Sequence, residues 1–147
     1  MFAIHDTKVK KSLHSRADSL RAGTAGLWGN MSLDQMLWHV NGALSMGLGK
    51  LRTVPVKSPI PKVLIRPMAL YAPWPKGKAR TVPELRATGQ YDIDDERQRF
   101  HVLVDEFADR PLHFSWLDHP ILGRLNGPQW SRLEAKHVDH HFRQFGV

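Results

Sequence analysis

Cysteine is absent from this chain of 147 residues. Its absence excludes disulfide bonds, thiolate metal ligands and a cysteine nucleophile. Any metal ion that the chain binds must therefore be held by histidine, aspartate or glutamate side chains.

The sequence also lacks an apolar run of about 18 residues, the length that a membrane-spanning helix needs. Its first 11 residues contain no apolar stretch of signal-peptide length, so we expect a cytoplasmic protein without a membrane partner. With 41% hydrophobic and 24% charged residues, the composition is that of a folded chain rather than a disordered one. Length and composition together predict a single domain over residues 1–147.

Alternation of polar and apolar positions, the pattern of a half-buried strand, is missing over any useful length, and the best candidate is residues 114–116. Apolar positions instead recur every three or four residues, which indicates helices. The expected helices cover residues 4–20, 32–49, 60–70, 94–108 and 126–145. The helix at 60–70 is short because it lies in a proline-rich segment, residues 53–83. The pattern predicts an all-α four-helix bundle with a long proline-rich crossover.

Two of these helices begin with a capping box. Ser32 is followed three residues later by Gln35, and Asn126 by Gln129. In both cases a side chain at the helix start can accept from the backbone, while the glutamine reaches back to the capping residue. The starts of the second and the last helix are therefore well defined by sequence.

The formal net charge of +7 raises the question of nucleic-acid binding. The basic residues are spread along the chain, however, and there is no recognition-helix motif, aromatic-interleaved basic segment or glycine-rich phosphate loop. We therefore expect a solvated basic surface and no nucleic-acid partner.

Three histidines fall within five positions near the end of the last expected helix: His137, His140 and His141. Residues four apart lie on the same helix face, so His137 and His141 are close enough to share one metal ion. A projection at about 100° per residue puts both on the apolar face and His140 at its rim. Two imidazoles buried without partners are costly, and a metal ion would satisfy both. The alternative is that backbone or carboxylate groups satisfy them.

Glu134 projects onto the same apolar face, one turn before His137. It could serve as a metal ligand, as the acceptor that orients an imidazole, or as a general base. The Glu-x-x-His spacing occurs in di-iron bundles, but those need a second such motif and two further glutamates. This chain offers one motif, so we expect a mononuclear site.

A third ligand must come from another part of the chain. His39, at the flank of the apolar face of the second helix, is one candidate, and His119, in a loop before the last helix, competes with it. Periodicity permits an inward His39 without requiring it. Four histidines have no partner at ligand spacing and are expected at the surface or the edge of the core: His5, His14, His101 and His113.

Three motifs occur here in a combination that is similar to a known family. They are Met36-Leu37-Trp38-His39, His119-Pro120-x-Leu122-Gly123 and Lys136-His137-x-Asp139-His140-His141-x-Arg143-Gln144-Phe145-Gly146. From about residue 30 to residue 147, the chain resembles the DinB/YfiT-like metalloenzymes and, within them, the DUF1569 family.

The resemblance implies a DinB-like bundle of up-down-down-up topology, often dimeric, which makes a homodimer one expected state. It implies that His39, His137 and His141 hold a divalent ion, with Gln144 three residues after the last ligand. Zn²⁺ and Ni²⁺ are the first expectations for that ion. Characterised relatives include transferases and isomerases that use low-molecular-weight thiols, so the resemblance also implies a small-molecule substrate, with such a thiol as one candidate.

Two classes of function follow. The first is a metal-dependent enzyme that activates a thiol or water, for transfer of the thiol sulfur or for hydrolysis. Glu134 and His119 are its candidate catalytic residues, with Asp118 beside them. The second is a non-catalytic helical bundle that acts through protein or nucleic-acid contacts, with a structural metal or none. The absence of cysteine and the inward histidine pair favour the first.

Overall fold

The computed structural model describes residues 2–78 and 81–147. Over these residues the chain is all-helical, as the sequence predicts, and forms no strand. The described residues form five α-helices: α1 (Thr7–Ser19), α2 (Leu33–Gly47), α3 (Lys62–Tyr71), α4 (Ile93–Asp109) and α5 (Gly127–Gln144). A single 3₁₀ turn, Pro83–Leu85, lies between α3 and α4. Among the described residues, no helix combines the length and the apolar content that crossing a membrane requires.

The ends of all five helices lie within one to three residues of their predicted positions, and side-chain caps explain the shifted starts of α1 and α4. Helix α1 begins at Thr7 rather than at residue 4 because Asp6 accepts from the backbone N–H groups of Lys8 and Val9, at 2.9 and 3.3 Å. Helix α4 begins one residue earlier than predicted because Asp92 accepts from Asp95 N–H at 2.9 Å.

The two predicted capping boxes are confirmed. The Gln35 side chain accepts from the backbone N–H of Ser32 at 3.2 Å. At the start of α5, Asn126 Oδ1 accepts from Gln129 N–H and Gln129 Oε1 accepts from Asn126 N–H, both at 2.9 Å. These reciprocal bonds satisfy backbone donors that have no partner inside the helix.

The core lies between two pairs of helices, because α1 and α2 each pack against both α4 and α5. Its largest fully buried side chains include Trp130, Phe100, Phe107 and Phe142. Phe100 of α4 and Phe142 of α5 lie with their ring centroids 5.2 Å apart. Burial of aromatic side chains of this size is the main contribution to holding the helices together.

The segment between α2 and α4 does not cross the surface as a bare loop. Helix α3 packs against α5, and Leu70, Val82 and Leu85 of this segment are buried in the core. The predicted strand candidate at residues 114–116 is not a strand, and the only pairing nearby is an isolated bridge between His119 and Gly123. The crossover therefore forms one wall of the molecule and positions groups beside α2 and α5.

Replacing Asn126 with alanine should lower the free energy of unfolding by about 1 kcal/mol, because the Gln129 N–H loses its acceptor. Asn126→Gly should cost only a few tenths of a kcal/mol, since glycine lets water reach the same N–H. Urea unfolding followed by circular dichroism measures both. Equal losses for the two variants would contradict the assigned cap.

Candidate metal centre

His39 of α2 and His137 and His141 of α5 meet at one point beneath the crossover. Their ring centroids are 4.9 Å (His39–His137), 4.8 Å (His39–His141) and 4.8 Å (His137–His141) apart. One nitrogen of each ring lies within 4.8 Å of the other two. Among the residues that the structure describes, these three form a group that could hold a metal ion.

Helical spacing explains how α5 supplies two of the three rings. His137 and His141 lie one turn apart on the face that also buries Leu133 and Val138. His140 lies beside them, with its ring 5.7 Å from Trp28 and 5.6 Å from Trp74. It is therefore at the rim of the group, as the helical projection predicts.

The hydrogen bonds of His39 fix its tautomer. Its Nδ1 lies 2.7 Å from the carbonyl oxygen of Leu85, which can only accept, so Nδ1 carries the proton. Nε2 is consequently left with a free lone pair, 3.0 Å from Nε2 of His137. The lone pair of His39 thus points at the centre of the group.

Gln144 fixes the tautomer of His141 in the same way. Its Nε2 donates to the carbonyl oxygen of Trp28 at 2.6 Å, so its Oε1 is the atom that faces His141 Nδ1, at 2.8 Å. Since an amide oxygen only accepts, His141 Nδ1 carries the proton. The Nε2 atom of His141 is left unprotonated. Sequence spacing placed Gln144 three residues after His141 but gave no indication that Trp28 would hold it.

Two glycines allow these partners to come close. A Cβ on Gly42 of α2 would lie 2.8 Å from the Leu85 side chain, whose backbone carbonyl binds His39. Gly29 has φ of +77°, and a Cβ there would lie 2.6 Å from Gln144 Nε2. Gly29 therefore needs to be glycine for Gln144 to keep its place, whereas a side chain at Gly42 would first displace the tip of Leu85.

Glu134 lies beside His137, on the side of its Nδ1 atom. Its Oε2 lies 3.8 Å from His137 Nδ1, which is too long for a hydrogen bond, and this buried oxygen has no hydrogen-bond partner among the described residues. The residue is 1% exposed, and burial raises its pKa to about 8. A carboxyl group in this position holds a proton near neutral pH unless a positive charge comes close.

Burial also keeps the imidazoles neutral. It lowers the pKa of His39 and of His137, and it lowers the pKa of His141 to about 3, with His39 adding repulsion in the last case. A neutral imidazole is the form that binds a metal ion. Desolvation and tautomer therefore both prepare this group of nitrogens for a cation.

The group lies on the wall of a cavity of about 860 Å³. Most of its lining is apolar and comes from α2, α3, the crossover and α5, for example Met46, Ile65 and Leu133. The Trp74 ring lies 5.8 Å from the ring of His137, and its Nε1 donates to the carbonyl of Ala69 at 2.8 Å. Such a pocket has the size of a small-molecule site.

His119 lines the cavity but stands outside the three-histidine group. Its Nδ1 accepts from the backbone N–H groups of Ile121 and Leu122, both at 3.1 Å, so its proton is on Nε2. Burial lowers its pKa to about 4. His119 can therefore offer a hydrogen bond from Nε2, whereas its basic nitrogen is occupied by its own loop. Asp118 is exposed.

A second histidine contact was not predicted from spacing. His14 of α1 and His101 of α4 lie with their Nδ1 atoms 2.6 Å apart. Their Nε2 atoms lie 3.1 Å from Asp105 and 2.9 Å from Asp18, respectively. The two histidines are 87 positions apart, so only the packing of α1 on α4 could reveal the pair. Both are at the edge of the core, as expected, and His113 is exposed.

The fold and the site define the class of this protein: it is all-helical, with three converging and largely buried histidines. The model of a family described as "Protein of unknown function (DUF1569)" matches residues 6–146, and the chain belongs to that family. No curated protein and no solved structure matches the chain.

The metal-free protein should lose stability as the pH falls below about 6.5. Unfolded histidines take up protons there, whereas folded His141, with its pKa lowered to about 3, does not. The slope from one such group reaches about 1.4 kcal/mol per pH unit. Glu134 acts in the opposite sense, because its raised pKa makes the folded state hold a proton that the unfolded state releases.

The informative quantity is therefore the difference between wild type and His141→Gln. The variant should show a shallower fall in the free energy of unfolding, measured by urea unfolding at several pH values with a chelator present. His113→Gln, at an exposed position, is the matched control and should keep the wild-type slope. If His141→Gln also keeps that slope, His141 is not buried as a neutral imidazole.

Proposed function

We propose that this protein binds one divalent metal ion through His39, His137 and His141. The single observation that carries the proposal is the convergence of three neutral rings. In two of them, Nδ1–H donates to a fixed acceptor, which leaves Nε2 unprotonated. Two nitrogens that bind one ion tetrahedrally are about 3.3 Å apart, close to the 3.0 Å between the Nε2 atoms of His39 and His137. The donor set therefore fits the ion, with Zn²⁺ or Ni²⁺ first.

Glu134 supports the same assignment. A bound cation requires an unprotonated Nε2 on His137, which moves the ring proton to Nδ1, on the side of Glu134. The unpartnered Oε2 of Glu134 would then face a donor 3.8 Å away, which a small side-chain movement would bring into hydrogen-bond range, and the nearby positive charge would favour the carboxylate.

We propose an enzymatic role for this centre. Three protein ligands leave coordination positions open, and the ion would supply Lewis acidity that lowers the pKa of a thiol or water. Glu134 is positioned to hold or accept a proton, and His119 can donate a hydrogen bond from Nε2 into the cavity. Trp74 and the apolar lining present few groups that bind water. A small molecule, such as a low-molecular-weight thiol, is the proposed substrate.

The packing of the helices supports a DinB-like four-helix bundle as the architecture. Helices α1, α2, α4 and α5 form the two contacting pairs, and α3 lies in the crossover. We keep the cytoplasm as the proposed location and a homodimer as a proposed state.

The alternative is a non-catalytic bundle without a metal. One observation favours it: the Nε2 atoms of His39 and His137 are also within hydrogen-bond distance, so a proton on His137 could join them. In that case the histidines would contribute only to packing, and the protein would act through protein or nucleic-acid contacts.

Metal content distinguishes these two possibilities. Protein produced without a histidine tag should contain about one equivalent of a divalent ion, and His141→Gln should weaken Zn²⁺ binding at least tenfold in competition with a chromophoric chelator. His140→Gln, the neighbouring residue outside the group, is the control and should bind as wild type. Less than about a tenth of an equivalent, with a fully folded His141→Gln variant, would falsify the metal assignment.

The Co²⁺-substituted protein tests the chemistry. If the open positions accept a thiol, adding one should produce a sulfur-to-cobalt charge-transfer band, because a thiolate has replaced an oxygen ligand. An unchanged spectrum up to millimolar thiol would contradict thiol activation and leave water as the activated group. The His141→Gln variant controls for thiol binding elsewhere on the protein.

A further inference from the structure

Helix α3 turns an apolar side towards the solvent. Its solvent-facing side carries Val63, Leu64, Met68 and Tyr71, which are 76%, 55%, 52% and 64% exposed. The opposite side packs on the protein through buried Leu70 and partly buried neighbours. A surface helix normally turns its polar side to water, so the outer side of α3 is an unpartnered apolar face.

The chain that precedes the helix also exposes apolar side chains. Val54, Val56 and Ile60 are 69%, 40% and 37% exposed. Together with the four side chains of α3, they make up seven of the 13 large hydrophobic residues that are exposed in the described parts of the chain. More than half of these exposed residues thus lie within residues 54–71, which we call the crossover face.

The charge of the chain is concentrated in the same segment. Residues 51–83 contain seven lysine and arginine residues and no aspartate or glutamate. The remaining 14 basic residues equal the 14 acidic ones, so this segment accounts for the entire net charge of +7. Lys57 is exposed within residues 54–71, Lys62 is exposed at the start of α3 with its Nζ near Gly123, and Arg52, Lys76 and Lys78 are exposed beside this range.

This combination of positive charge and apolar surface indicates which kind of partner would bind the crossover face. A second copy docked face to face would bring two basic segments together, which Coulomb repulsion opposes. Nucleic acid would match the charge but would leave the aliphatic side chains without a partner. An anionic lipid bilayer offers both phosphates for the lysines and an apolar boundary for the aliphatic residues.

We propose that the crossover face docks onto anionic membrane surfaces, a partner that the sequence alone did not lead us to expect. The helix would lie in the plane of the interface, with Val63, Leu64 and Tyr71 at the boundary of headgroups and acyl chains. No span is involved, because α3 has only 10 residues. Ile60 and Met68 belong both to this face and to the cavity lining, so the docked surface is continuous with the cavity.

Vesicle flotation with the full chain tests this proposal. The protein should float with phosphatidylcholine vesicles that contain about 30 mol% phosphatidylglycerol and should stay behind with phosphatidylcholine alone. Binding should fall at least tenfold between about 0.05 and 0.5 M salt, because the electrostatic contribution is screened. Equal binding to both vesicle types would overturn the role of charge.

Two pairs of matched variants separate the charge from the apolar face. Val63→Asp should weaken binding about tenfold or more, whereas Val102→Asp, on exposed α4 surface, should not. Lys57→Glu with Lys62→Glu should weaken it at least about 25-fold, whereas Lys8→Glu with Lys11→Glu, with the same net charge, should have a much smaller effect. Equal losses within either pair would overturn the assignment to the crossover face.

Two other outcomes would also overturn it. The first is a wild-type protein that does not bind anionic vesicles but forms a dimer in sedimentation, where Val63→Asp makes the dimer dissociate. The second is binding to an oligonucleotide that depends on Lys57 and Lys62 but is unchanged by Val63→Asp. Neither outcome involves the histidines, and His141→Gln should float as wild type, so this test and the metal test can fail independently.

Discussion

The constraint on which the site depends is that three imidazoles must be buried in an apolar region and remain neutral. A buried imidazole needs a partner for each ring nitrogen, because an unsatisfied polar group in such a place costs several times what a hydrogen bond contributes. His39 and His141 meet this requirement on Nδ1 through Leu85 and Gln144. Their Nε2 lone pairs are left for a proton carried by His137 or for a cation, and this choice gives the centre its chemistry.

The groups that meet this constraint depend on connections as well as on helices. Leu85 belongs to the 3₁₀ turn, and Trp28, which holds Gln144, lies in the loop between α1 and α2. Both connections lie close against the helices: Gly42 of α2 faces the Leu85 side chain, and Gly29 of the α1–α2 loop faces the Gln144 side chain of α5. The long crossover is therefore part of the site and not only a link between α2 and α4.

Sequence patterns predicted the features that depend on a single helix. They placed His137 and His141 inward and His140 at the rim, and they identified the caps of α2 and α5. They could not predict contacts between distant segments, such as His39 with Leu85, which are 46 positions apart, or His14 with His101. They also identified α3 as a helix without indicating which side would face the protein. An apolar stripe shows that a helix needs a partner, but not where that partner lies.

Helix α3 links the two surfaces of interest physically. Arg132 Nε donates to the carbonyl of Leu70, and Lys136 Nζ donates to the carbonyls of Ala69 and Ala72. Burial and the nearby Arg132 lower the pKa of Lys136 to about 8. Both cations extend from α5, the helix that carries two of the three histidines, to the C-terminal end of α3, where they also favour its dipole. A partner bound to the outer side of α3 would therefore contact a helix that is hydrogen-bonded directly to α5, which carries two of the three histidines.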